Sequence, residues 1–350
     1  MTRILLSLAA GVLLVVCVGA QGIPFEQRAR LFDYDAKAPL NMREKSVEEV
    51  EGVQAPQARV TPPPVEALCA QSEQMLFAKV DGKPVAYHVL GSGTGTPLLL
   101  INGGPGFPHT SLHLSAAWEP LAEGRRVIFF DQPGTGQSWP LGANDSLVVA
   151  DVLASIEAIR QAIGAPQLAV LGHSWGGYVA LAYAVHHPEH VQAVVLVGSL
   201  APKLTATESL LGARFPERIA AEENLNPNNP ADVETWARGQ WAMSLYSGEI
   251  RDRVLAKLAG CPSGYVGRQE TLLWKDAVSL DLSDDLPRLA RPVLVMAGRY
   301  DTVSPRTAWK IHQAIPGSQY VILERSGHFP MIEEPDEFVA VVDRFLRSAK

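Results

Sequence analysis

Leu168-Ala-Val-Leu-Gly-His-Ser-Trp-Gly-Gly177 is the stretch from which the rest of the chain can be read. An apolar, strand-like run enters Gly172-His173-Ser174-Trp175-Gly176, the pattern G-x-S-x-G, and leaves through the helix-like Tyr178-Val-Ala-Leu-Ala-Tyr-Ala-Val185. A serine at a sharp strand-to-helix turn sits in a strained backbone conformation. Glycines two residues before and after it remove the side chains that would crowd that turn. The turn lifts the hydroxyl above a sheet and leaves the following N–H at a helix N-terminus, where it can stabilise an anion. Five residues alone are a weak match, but a strand before and a helix after are the context the pattern requires. Ser174 is therefore the candidate nucleophile.

Working outward, short apolar runs recur on both sides. Met75 to Val80 and Pro84 to Leu90 read as strands joined by the hairpin signal Asp81-Gly82. Pro97 to Ile101 and Arg126 to Phe130 are buried-strand runs, with a helical segment around Ser115 to Ala122 between them. Ser146 to Ile163 has apolar residues at helical spacing, with Asp145 or Ser146 as its cap. Ala193 to Val197 is the sixth strand. Residues 200 to 287 then lose the alternation and become helix-like and richer in charge and Trp. The rhythm returns with the strand Pro292 to Ala297, a helix from Pro305 to Ile315, the strand Gln319 to Leu323 and a last helix from Pro335 to about Arg347. Buried strands alternating with helices imply an α/β fold: a mainly parallel sheet with helices on both faces and a helical lid inserted after the sixth strand.

Acyl transfer by a serine needs a base, an acid to orient that base, and N–H donors for the oxyanion. Asp301 follows the strand Val293 to Ala297 through the turn Gly298-Arg-Tyr-Asp301, and is the candidate acid. The competing role is a helix cap for the segment beginning near Pro305. His328, in Ser326-Gly-His-Phe-Pro330 directly after the last strand, is the candidate base. Of the other eight histidines, His186, His187 and His190 look solvated and His312 is inside a helix. His109 and His113 could line a mouth, and His173 points into the turn. The oxyanion donors expected are the N–H groups of Trp175 and Gly104, with Gly103 second, from the loop Asn102-Gly-Gly-Pro-Gly106 after the third strand.

Together, Asn102-Gly-Gly-Pro-Gly106, Asp131-Gln-Pro-Gly-Thr-Gly-Gln-Ser138, the strand-to-helix elbow Gly172-His-Ser-Trp-Gly-Gly177, Gly298-Arg-Tyr-Asp301 and Gly327-His328 resemble the α/β-hydrolase superfamily, and within it the proline iminopeptidases. The resemblance covers roughly residues 75 to 200 and 288 to 350. It implies a serine hydrolase that cleaves small peptides from a free N-terminus through an acyl-enzyme. Two positions depart from it. Asn102 stands where the family has His. In the lid the aminopeptidases carry a Trp-Glu pair whose carboxylate holds the substrate amine, whereas here Trp236-Ala-Arg-Gly-Gln-Trp241 is followed by Ala242. Trp236, Trp241 and Glu234 are the candidate substrate-binding residues, with Glu208, Glu222 and Glu223 as other possible anchors. A carboxylic ester or other small-acyl substrate is the alternative, and a non-catalytic binding protein on the same fold a further one.

No H-E-x-x-H, Walker loop or Cys/His motif is present, so neither a metal nor a cofactor is expected. A net charge of −7 without a long basic run argues against nucleic acid and leaves a small molecule or short peptide as partner. The chain opens with Arg3, an almost wholly apolar Ile4 to Val18 and the small-residue site Val18-Gly-Ala20. This reads as a signal peptide over residues 1–20, with a mature start near Gln21 and export to the periplasm or medium. An uncleaved membrane anchor is the alternative. Residues 21–70 form a Pro-rich extension with the run Pro62-Pro63-Pro64 and a possible short helix around Val47 to Val50. The hydrolase core is expected over 71–199 and 288–350, with the lid over 200–287. Cys17 would leave with the signal, so Cys69 and Cys261 remain, paired or free.

Overall fold

A computed structural model describes residues 74–349. The expected signal peptide, the Pro-rich extension, the short helix near Val47 and Cys69 all lie outside the described residues. Cys261 is buried and disulfide-bonded. Among the described residues no helix is long and apolar enough to cross a membrane.

Eight strands form one sheet in the order β1-β2-β4-β3-β5-β6-β7-β8. They are β1 Leu76–Val80, β2 Lys83–Leu90, β3 Gly95–Ile101, β4 Arg125–Phe130, β5 Leu168–His173, β6 Val191–Val197, β7 Val293–Gly298 and β8 Gln319–Leu323. β1 with β2 and β2 with β4 pair antiparallel, and every other pair is parallel. The β1–β2 turn uses left-handed Asp81 (φ +50°) and Gly82 (φ +80°), the geometry that matches the strands' own twist.

The apolar runs are continuous because the central strands are covered on both faces. Alternate residues go opposite ways: Leu99, Ile101, Val170, Val194 and Val295 to one core, Leu98, Leu100, Leu171, Val195 and Met296 to the other. The first core is closed by α2 (Val149–Ala162), α3 (Trp175–His186) and α9 (Pro305–Ala314). The second is closed by α1 (Trp118–Ala122) and α11 (Pro335–Ser348). Helix α2 starts later than Asp145 or Ser146 would place it. Its cap residue is Val148, whose N–H donates to the Asp151 carboxylate at 3.0 Å, while Asp276 accepts from the Val149 N–H at 2.8 Å. Asp145 instead accepts from the Gly142 N–H. The helix expected over Ser115 to Ala122 is shorter, beginning only at Trp118 in α1, and a separate 3-10 turn, His109–Leu114, precedes it.

Between β6 and β7 the described chain runs through five α-helices, with a 3-10 turn at each end, Leu204–Ala206 and Leu286–Arg288. These are α4 Leu211–Arg214, α5 Pro216–Glu222, α6 Pro230–Ser244, α7 Gly248–Leu258 and α8 Gly267–Ala277. They form the lid. Short α10, Pro330–Glu333, follows β8 and lies next to the loop that carries His328.

Candidate active site

Ser174 sits between the end of β5 and the start of α3 with φ +57° and ψ −120°, a conformation that L-residues rarely adopt. Its N–H donates to the Val197 carbonyl at 2.9 Å, and its carbonyl accepts from Gly177 N–H at 2.9 Å. The two flanking glycines are required by space. A Cβ at Gly172 would lie 2.1 Å from the Gly176 carbonyl oxygen, and one at Gly176 would lie 2.0 Å from that of Ile101. Trp175 is the first residue of α3, so its N–H has no partner within the helix.

β7 and β8 deliver the other two residues. His328 Nδ1 lies 2.7 Å from Asp301 Oδ1, which also accepts from Val303 N–H at 2.8 Å. Both side chains are buried. A carboxylate only accepts, so it holds the proton on Nδ1 and leaves Nε2 bare. Gly198 makes room for this pair: its Cβ would fall 2.7 Å from Asp301 Oδ2 and 2.9 Å from His328 Nδ1. Asp301 thus does not cap α9; Ser304 does, through Arg306 N–H.

The loop after β3 reaches the same place. A Cβ on Gly103 would be 3.0 Å from Ser174 Cβ, and Gly104 has φ +122°. Asn102 braces this loop by donating from Nδ2 to the carbonyls of Gly103 (3.0 Å) and Phe107 (2.8 Å). Gln132 Nε2 donates to the Asn102 carbonyl at 3.0 Å, and Gln132 Oε1 accepts from Trp175 Nε1 at 3.0 Å. Gln132 Nε2 also reaches Asn102 Oδ1 at 3.3 Å, so an asparagine side chain in place of histidine still ties the loop to the elbow. His109 does not line a mouth; it is buried with Nδ1 2.7 Å from Asp131 Oδ1. His173 is buried too. Burial first, and then His328, hold its pKa well below the usual value, so the neutral ring donates from Nε2 to the His328 carbonyl at 2.8 Å.

Ser174, His328, Gly103 and Gly104 all open onto one cavity of about 190 Å³ roofed by the lid. That is below the roughly 300–1,000 Å³ of sites for drug-sized ligands and suits a small acyl group. Trp236 and Trp241 line it. Glu234 does not: both its oxygens accept from Ser263 N–H at 2.9 Å, and Oε1 also from Ser263 Oγ at 2.8 Å, which turns it into a lid brace. Glu208 pairs with Lys310 at 2.6 Å, Glu222 with Arg218 and Gln240, and Glu223 is exposed, so none of these faces Ser174 either.

Among the described residues, the one acidic side chain lining the cavity is Glu270 of α8, which the sequence did not mark out. The residue keeps some accessible surface, because it faces the open cavity. Its carboxylate accepts from Tyr265 O–H and from Trp274 Nε1 at 3.3 Å and is largely removed from bulk water. Desolvation outweighs these two bonds and pushes its pKa from 4.5 to about 7. The Glu270/Trp274 spacing of four residues on a helix was the only available hint, and solvated helix faces show it equally.

No residue of this cavity set resembles a metal site. Away from it, Glu157, His187 and His190 bring ligand-type atoms within 4.8 Å of one another, but the Glu157 carboxylate already holds Arg160 and the Tyr183 hydroxyl.

Residues 96–335 match the alpha/beta hydrolase fold family. A proline iminopeptidase from Heyndrickxia coagulans is 28% identical over 290 residues, covering 78% of this chain and 98% of that one. One from Saccharolobus solfataricus is 27% identical over 284 residues, covering 74% and 87%. Among solved structures, an esterase from Rhodococcus sp. ECU1013 superposes with a TM-score of 0.65 at 26% identity, covering 80% of this chain and 100% of that one. A thermophilic esterase from Thermogutta terrifontis gives 0.63 at 23%, covering 79% and 99%.

Proposed function

The chain belongs to the α/β-hydrolase family, and from that premise we propose that it is a serine aminopeptidase of the proline-iminopeptidase type, acting on short peptides with a free N-terminus. Ser174 Oγ attacks the scissile carbonyl while His328 Nε2 takes its proton. Asp301 keeps the imidazole in the Nδ1–H tautomer and stabilises the imidazolium. The N–H groups of Trp175 and Gly104, with Gly103 beside them, receive the oxyanion. Collapse expels the amine, which takes the proton from His328, and water then releases the acyl-enzyme by the same steps in reverse.

The observation that carries the peptide reading is Glu270. A substrate's α-ammonium brought under the lid costs several kcal/mol unless a carboxylate meets it. Glu270 supplies one on the cavity wall, and the aromatic residues Phe107, Trp236 and Trp274 line the same cavity. A small-ester reading has its own observation, Ala242 in the place where the family's lid carboxylate stands.

Hydrolysis of prolyl- and alanyl-p-nitroanilides, their N-acetylated forms and simple p-nitrophenyl esters separates the two. An aminopeptidase cleaves the free-amine anilides and loses at least about 100-fold in kcat/KM on acetylation, the cost of an unpaired charge in the site. Acetylation without effect, or fast ester turnover with no anilide cleaved, leaves the esterase reading standing. A fluorophosphonate probe should label the wild type and not Ser174→Ala. The charged start, the apolar Ile4 to Val18 and the Val18-Gly-Ala20 site motivate the further proposal that this hydrolysis takes place outside the cytoplasm.

A further inference from the structure

We propose that Glu333, which no step above uses, is a positioning residue that locks the lid to the loop carrying His328. The inference rests on His328 being the base. Glu333 ends α10 and is buried. Its carboxylate receives three backbone N–H groups from two separate parts of the chain. Oε1 accepts from Tyr246 N–H and Ser247 N–H, each at 2.8 Å, where the lid turns from α6 into α7. Oε2 accepts from Gly327 N–H at 2.6 Å, one residue before His328.

The two parts also touch directly. His328 N–H donates to the Ser244 carbonyl at 2.8 Å. A Cβ at Gly327 would lie 2.5 Å from that same oxygen and 3.0 Å from Tyr246 N, so the backbones meet with no side chain between them. On the other flank the Tyr246 ring stacks on Tyr300 at 3.9 Å, and Tyr300 N–H donates to Ser326 at 2.9 Å, which joins the Asp301 turn to the same corner. Glu333 is thus the polar centre of a joint where the lid, the base loop and the acid turn converge. Adjacent Glu334 instead holds Arg325 and Ser326 of the loop itself.

Three converging N–H donors call for a group that only accepts. An ionised carboxylate qualifies, with charge-assisted bonds, and is the form present above the pKa of about 7 to which burial raises Glu333; an amide puts its NH₂ against one of them at every pH. Ser244 ends the helix whose Trp236, Gln240 and Trp241 line the cavity. The joint therefore sets the imidazole against the same wall on which the substrate is seated.

Glu333→Gln and Glu333→Asp in the full chain test this. The measurements are kcat and KM on an aminoacyl-p-nitroanilide and on a p-nitrophenyl ester, the fluorophosphonate labelling rate and a thermal melt. A base displaced by a fraction of an ångström lowers kcat by about 10- to 100-fold. Glu333→Gln should show that fall on whichever substrate class turns over, with KM moving less than about threefold and the labelling rate falling in step. Glu333→Asp, still acceptor-only, should recover part of it. Wild-type kcat per titrated active site in a folded Glu333→Gln, whatever its melting point, overturns the proposal. So does failure of both variants to fold, which makes the carboxylate a folding requirement and no more. His328→Ala is the control: if it labels as fast as the wild type, the base assignment is at fault and not Glu333.

Discussion

Replacing Glu270 by Gln separates what this carboxylate costs the fold from what it gives the site. Its pKa is raised from 4.5 to about 7 by desolvation, so the folded protein favours the protonated form. The sign follows: the stability of that neutral form is fully present below pH 4.5 and is lost as the pH rises through 7. At roughly 1.4 kcal/mol per pH unit the penalty at pH 8 reaches about 3 kcal/mol, and cavity water reaching the carboxylate reduces it, so 1–3 kcal/mol is the expected range. Gln is neutral at every pH and its Oε1 can still accept from Tyr265 and Trp274. Glu270→Gln should therefore unfold at higher urea than the wild type at pH 8 and at nearly the same urea at pH 4.5. The same variant should lose the preference for a free amine by about 100-fold or more, since the buried ammonium is left unpaired. In the wild type, 1/KM for a free-amine substrate should rise with pH through about 7 as Glu270 ionises. Equal urea midpoints at pH 8 together with intact amine preference would refute the reasoning at both ends.

Asp301→Asn should leave the fold in place and lower kcat by about 10⁴, because Asn can hold the imidazole in the wrong tautomer; a stopped assay with active-site titration measures it. Gly176→Ala should fail to give soluble protein or lose several kcal/mol in urea unfolding, since its Cβ would sit 2.0 Å from the Ile101 carbonyl oxygen, and backbone on both sides cannot give way. Amino-terminal sequencing of the protein recovered outside the cytoplasm should begin near Gln21; a start at Met1 or Thr2 supports an uncleaved anchor instead.

The sheet was legible because its physics is local. Strands covered on both faces must be apolar at every position, and Leu98 to Ile101 or Val194 to Val197 can hardly be read otherwise. The elbow was legible because backbone collision dictates its glycines. Asp301 and His328 were legible from their places at strand ends, where a parallel sheet gathers loops on one edge. Helix α2 was misplaced at its start because Leu147 is buried and Asp151 caps from within the helix, so the polar pair upstream offered a better local signal than the fold used.

The lid was the opaque part, and Glu234 and Glu270 show why. Both are glutamates on amphipathic helices, and nothing in local pattern distinguishes a carboxylate that turns back to Ser263 from one that turns into the cavity. What separates them is which helix face the core opposes. That is decided by how α6 and α8 pack in the folded chain, a tertiary fact with no period in the sequence. After Trp241 the chain has Ala242, and the cavity's carboxylate comes from α8 instead. Desolvation makes a carboxylate in the cavity costly whichever helix bears it, and a neutral residue such as Gln in its place is expected to be more stable. The comparison of Glu270→Gln with the wild type at pH 8 measures that trade directly.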